Sequence, residues 1–162
     1  MITVNIKKLD ENAKIPYQAN YGDFCYDVWA VSEEEIAPNV WRYGLGFKYE
    51  IQRPYAPFVA SLLKEENLFD KYNICISLRP RSSIWKTGMV LSNSIGTLDE
   101  FYRGEVMAVF YHVMPNMPRY KVGDRIGQIV VSVAPLVQFL EKEEINENTE
   151  RGEGGFGSTG LK

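Results

Sequence analysis

The sequence predicts an all-β protein, a small barrel or sandwich. Short runs rich in β-branched and apolar residues recur along the chain, with glycine, proline and asparagine between them, as strands joined by turns do. Between positions 41 and 49, moreover, Trp41, Tyr43, Leu45, Phe47 and Tyr49 fall on every second residue, the clearest period-two run in the chain. A length of 162 residues suffices for one domain with a real core and is too short for two comfortable ones.

Taken in order, Ile2 to Ile6 alternates apolar with polar, the pattern of a half-buried strand. Pro16 and Tyr21-Gly22-Asp23 interrupt the chain before a second strand expected over Tyr26 to Val31. Ser32 to Pro38 is acidic and reads as a turn. The alternating run from Trp41 to Tyr49 follows. Residues 56–69 break the β pattern: Pro57 suits a first helical turn, Phe58, Leu62 and Leu63 follow at helical spacing, and Lys64-Glu65-Glu66 would form the exposed end. This short helix is either an ordinary surface element or a ligand-facing lid. Further strands are expected over Ile74 to Leu78, Met89 to Ile95, Val106 to Val113 and Ile126 to Val133.

After Leu140 the composition changes. A charged, solvated run (Glu141-Lys142-Glu143-Glu144, then Asn146-Glu147-Asn148) leads into Arg151-Gly152-Glu153-Gly154-Gly155-Phe156-Gly157-Ser158-Thr159-Gly160. The chain therefore divides into a β domain over residues 1–140 and a linker with a glycine-rich arm over 141–162. The arm has too few apolar side chains to fold alone. It is either a frayed terminus or a mobile arm that orders over a ligand: glycine-rich backbone can wrap a phosphate, arginine can pair with it bidentately, and hydroxyls add donors.

Composition narrows the function. Hydrophobic residues make up 45% and charged residues 24%, an ordinary globular balance. The net charge of -3 argues against a surface that coats nucleic acid, though not against a phosphate ligand. Cys25 and Cys75 are far apart and the lone His112 lacks a partner at ligand spacing, so neither zinc nor a disulfide framework is expected. With no signal-like or membrane-length apolar run, the expected setting is the cytosol, with no membrane partner.

The densest cluster of chemistry lies between two expected strands, at Gly96-Thr97-Leu98-Asp99-Glu100-Phe101-Tyr102-Arg103-Gly104-Glu105-Val106. Carboxylates, aromatic rings and a basic side chain are bracketed by glycines, which reads as a hairpin with an irregular tip. Such a tip is either a solvated turn or a platform that presents side chains to a ligand.

Together with four other segments, Gly22 to Ala30, Pro80 to Gly88, Gly123 to Gln128 and Arg151 to Gly160, this stretch (from Asn93 on) resembles the five ordered motifs of the trimeric dUTPases. The resemblance spans nearly the whole chain. It implies a distorted jelly-roll β-barrel, hydrolysis of dUTP to dUMP and pyrophosphate, a Mg2+ cofactor and a homotrimer with shared active sites. It further implies that Asp99 is the general base and that Tyr102 lies under the deoxyribose. Asn93 and the main chain from Gly96 to Leu98 would read the uracil edge. Ser82, Ser83 and Gln128 would serve the phosphates, with Arg81 supporting the base across a subunit boundary, while Asp27 stands near metal-bound waters. In the tail, Arg151 would grip the γ-phosphate, Phe156 would cover the base, and Gly157, Ser158 and Thr159 would complete the closure. Arg125 is expected in a buried structural ion pair. Phe24-Cys25 departs from the small Ala-Gly usual in the first motif. The alternatives are a protein-binding regulator on the same fold, with residues 56–75 as its contact surface, and a dCTP deaminase. The latter would lack the pairing of Asp99 with Tyr102 and the full tail.

Overall fold

The computed structural model describes residues 2–53 and 72–155. Within them the chain forms ten strands: β1 (Thr3–Lys8), β2 (Tyr26–Trp29), β3 (Ser32–Ala37), β4 (Val40–Gly44), β5 (Phe47–Gln52), β6 (Tyr72–Arg79), β7 (Met89–Leu91), β8 (Gly96–Leu98), β9 (Met107–His112) and β10 (Arg125–Pro135). No α-helix occurs among the described residues, and none of their helices is long and apolar enough to cross a membrane. The helix expected over 56–69 lies outside them, as do Phe156, Gly157, Ser158 and Thr159. One 3-10 helix, Ser82–Lys86, follows β6.

The strands form three antiparallel sheets. Two are four-stranded, ordered β2-β10-β6-β8 and β3-β4-β9-β7, and β1 pairs with β5 in a third. A core of alternating side chains fills the space they enclose. Tyr43, Leu45, Phe47 and Tyr49 are all 3% exposed or less, so, while Trp41 is only partly buried, the period-two run buries its last four members. It does so across two strands. At Gly46, whose φ is +68°, the chain leaves one sheet for another, and a Cβ there would meet Val31 and Ala13. Tyr43, Phe110 and Tyr120 meet edge to face in this core, with ring centroids 5.4 to 6.4 Å apart.

Ser32–Ala37 corrects an expectation. The acidic stretch is a strand, paired with β4 along one side. Its glutamates suit an edge because each has a partner there: Glu33 meets Arg119 and Lys121, Glu34 meets Arg42, and Glu35 accepts the Asn39 N–H. Arg119 also stacks 3.4 Å over the Trp41 ring.

The stretch around Asp99 also differs from a simple hairpin. Its flanking strands do pair, Met89 with His112 and Leu91 with Phe110. Between them, however, Gly96–Leu98 crosses to the other four-stranded sheet and pairs with β6. The crossing is made at Asn93-Ser94-Ile95, where Ser94 has φ 59° and the Ile95 N–H donates to the Asn93 carbonyl. A two-residue turn would have kept the chain in one sheet.

Candidate active site

The β2-β10-β6-β8 sheet brings residues of three motifs, Asp27, Gln128 and Gly96, onto neighbouring rungs, and the second motif begins at Pro80, just past the end of β6. Gln128 of β10 sits opposite Asp27 of β2 on one side and Arg79 of β6 on the other. One rung on, Leu78 of β6 faces Gly96 of β8. Gly96 is buried, and a Cβ there would lie 3.4 Å from Leu78 Cβ and 3.5 Å from Asn93 Nδ2, in ordinary van der Waals contact with both.

At one end of the row, Asp27 is 6% exposed and held between two arginines. Arg81 Nε lies 3.2 Å from its Oδ1 and Arg125 Nη1 lies 3.0 Å from its Oδ2. Arg81 also donates to Ser83 Oγ at 3.3 Å, tying the start of the 3-10 helix to this carboxylate. The expected ion pair of Arg125 is present, but its own side chain is 44% exposed, so only the aspartate end is buried.

At the other end, Asp99 begins the turn beyond the last rung of β8. Its side chain is exposed, while its carbonyl accepts from the Tyr49 hydroxyl at 2.5 Å and the Tyr102 N–H at 3.0 Å. Tyr49 is buried, and that burial pushes its hydroxyl up to about 12. The neighbouring Glu100 carboxylate takes both Nε and Nη2 of Arg53 at 2.6 Å. That hydrogen-bonded guanidinium keeps the Glu100 carboxyl below its ordinary value. Tyr102 folds back so that its hydroxyl donates to the Glu105 carbonyl at 2.9 Å, and its ring lies across Gly104, where a Cβ would fall 2.5 Å from Cζ.

The register keeps Arg81 and Asp99 apart within one chain. Leu98 pairs with Ile76, so Asp99 continues past the Cys75 end of β6, whereas Arg81 emerges from the opposite end. Arg151 is exposed and bends onto its own turn, Nε donating to the Gly154 carbonyl at 2.8 Å.

Among the described residues no group of three or more His, Cys, Asp or Glu is placed to hold a metal ion. An open apolar cleft of about 460 Å³, lined by residues that include Ile2, Val4, Ile15, Tyr26 and Val131, contains none of the expected site residues. Tyr49 and Arg53 were not singled out as site residues, because an alternating tyrosine and a single arginine after a strand carry no motif of their own.

The dUTPase family model matches residues 70–160, more than half of the chain. The chain belongs to the dUTPase family. Its curated relatives include the deoxyuridine 5'-triphosphate nucleotidohydrolases of Clostridium kluyveri, 34% identical over 96% of both chains, and of a Hydrogenobaculum strain, 31% identical over 97% of both. Solved dUTPases share the fold. One from Staphylococcus bacteriophage 80alpha, determined with dUpNHpp, superposes with a TM-score of 0.72 at 21% identity, covering 98% of this chain and 99% of its own. Another, from phage phi11 of S. aureus and described with a structural Mg(II) ion, gives 0.65 at 16% identity, covering 89% and 99%. The family's jelly-roll-like architecture accounts for the sheets described above.

Proposed function

We propose that this protein hydrolyses dUTP to dUMP and pyrophosphate by attack of water on the α-phosphorus. The observation that carries the reading is the convergence of three motifs on adjacent rungs of one sheet, with the second motif tied to them by the Arg81–Asp27 ion pair, in a member of the dUTPase family. Phosphoryl chemistry asks a protein chiefly for positioning and charge stabilisation. Asp99 is the base: its exposed carboxylate takes a proton from the attacking water. Asn93 and the close backbone from Gly96 to Leu98 read the uracil edge and leave no space for a methyl group at C5. The Tyr102 ring lies under the deoxyribose and obstructs a 2'-hydroxyl. Ser82, Ser83 and Gln128 donate to phosphate oxygens, and Arg151, Phe156, Gly157, Ser158 and Thr159 close over the nucleotide and exclude bulk water.

The assembly is a homotrimer in this reading, with sites shared between copies. A single chain sends Arg81 and Asp99 away from opposite ends of the β6–β8 ladder, so a site using both draws on more than one copy. The exposed Leu136, Val137, Phe139 and Leu140, together with the apolar cleft, are surfaces that association would cover.

The donor set fits Mg2+ only as an ion carried mainly by the substrate's triphosphate. Asp27 is a single carboxylate with both oxygens on arginines, and it would meet the ion through water. When bound, the ion would orient the phosphates and spread their developing charge.

Pyrophosphate release from dUTP, dTTP and UTP, with and without magnesium, tests the proposal alongside the solution mass. Magnesium-dependent turnover of dUTP with little of the other two is expected. Comparable turnover of all three, or none of dUTP, would overturn it.

A further inference from the structure

The strand that carries Asp99 does little to hold it. β8 is three residues long and its pairing with β6 ends at Leu98, so the torsions of Asp99 are not fixed by ladder hydrogen bonds. Contacts from β5 and the residue just past it supply what the ladder lacks. Tyr49, 3% exposed, sends its hydroxyl to the Asp99 carbonyl at 2.5 Å. Arg53 grips the next residue, Glu100, through two nitrogens at 2.6 Å each.

We propose that Tyr49 and the Arg53–Glu100 pair are positioning residues that fix the backbone of the Asp99 turn, and so the aim of its carboxylate at the attacking water. The proposal rests on the reading of Asp99 as the base. The Tyr49 ring alone fills core space that phenylalanine would fill equally well, so its hydroxyl is the part committed to the turn. The Arg53–Glu100 pair is no ordinary surface ion pair: it is bidentate, and the Glu100 side chain is 9% exposed. Two anchors therefore act on two consecutive residues, one of which carries the chemistry. A displacement near 1 Å at a reacting group can lower a rate by up to about 100-fold, so anchors of this kind have consequences for turnover.

Steady-state kinetics on full-length Tyr49→Phe, Arg53→Gln, Glu100→Gln and the Arg53→Gln/Glu100→Gln double variant test this. Melting temperature, and affinity for a non-hydrolysable dUTP analogue, are followed alongside. Each single variant should lower kcat about 10-fold with KM and analogue affinity within about twofold, and the double should be no slower than the slower single. In an Asp99→Asn background Tyr49→Phe should have no further effect, which a general loosening of the core would not reproduce. Where Glu100→Gln melts too low to assay, Glu100→Asp keeps the charge, loses the two-pronged fit and should show the same kcat loss. Wild-type kcat in folded Tyr49→Phe and in the folded Glu100 variant, or a loss confined to KM, would overturn the proposal. Absence of dUTP turnover in the wild type would instead remove the reading of Asp99 on which it rests.

Discussion

Arg81 and Asp27, 54 residues apart in the chain, meet through Nε and Oδ1 at 3.2 Å. Arg125 takes the other oxygen of the same carboxylate, so one buried negative charge separates two guanidinium groups. Asp27→Asn would leave both cations without it. Because Arg81 and Arg125 are 24% and 44% exposed, solvent offsets part of the loss. A decrease of about 1–3 kcal/mol is expected, read as a lower urea midpoint at unchanged slope.

Asp99→Asn keeps the size of the side chain and removes its capacity to take a proton. Nucleotide affinity should stay within a few-fold while kcat falls by about 100-fold or more, general-base catalysis being worth that much. Isothermal titration with a non-hydrolysable analogue, beside a turnover assay, separates the two quantities. Near-wild-type turnover would exclude Asp99 as the base.

Gly104→Ala places a methyl group 2.5 Å from Tyr102 Cζ, and the ring must swing away. The hydroxyl then loses the Glu105 carbonyl. Since the ring in its present position is the proposed obstacle to a ribose, the ratio of kcat/KM for dUTP over UTP should fall. An unchanged ratio would mean that Tyr102 does not discriminate the sugar.

Truncation after Glu150 removes Arg151 and the glycine-rich run. Residues 141–150 form no strand and are exposed, so the solution mass and melting temperature should hold. Turnover should drop by at least about tenfold, because closure over the nucleotide is lost. Full activity in the shortened chain would assign the tail no part in the reaction.

Glu100 gives the fold a dependence on acid. Its folded value is held below the ordinary 4.5, chiefly by the Arg53 hydrogen bond, so its contribution is fully present above the unfolded value. It is lost as pH falls through the lower, folded value. Glu33, lowered by Arg119, behaves in the same sense. Between pH 6 and pH 3 the urea midpoint should therefore fall less steeply in Glu100→Gln than in the wild type, from a lower starting stability.

Much of this was legible in the sequence, for identifiable reasons. The alternation from Trp41 to Tyr49 reports burial directly, and the run from Ile126 to Val133 marks the interior of β10. Segments marked by their chemistry, around Asp27, Gly96 and Gln128, converge on neighbouring rungs, and Arg81 joins them through its ion pair with Asp27. What stayed hidden depends on contacts remote in sequence. Ser32–Ala37 looks like a turn until Arg42, Arg119 and Lys121 neutralise its glutamates. The crossing at Ser94 follows from a single positive φ, which a serine does not advertise. Tyr49 and Arg53 gain significance only when Asp99 and Glu100 lie against them, 50 and 47 residues further along the chain.

β10 is the last strand among the described residues, yet it is the inner neighbour of both β2 and β6. Among the described strands β2 pairs only with β10, so apart from its bridge to Tyr17 the Asp27 segment awaits the emergence of Arg125–Pro135 from the ribosome. Closure of a loop this long is slow, and open strand edges invite wrong pairings in the interval. Synthesis that stalls before residue 125 should accordingly release a chain in which the second, acidic-edged sheet can form while the sheet built around β10 cannot.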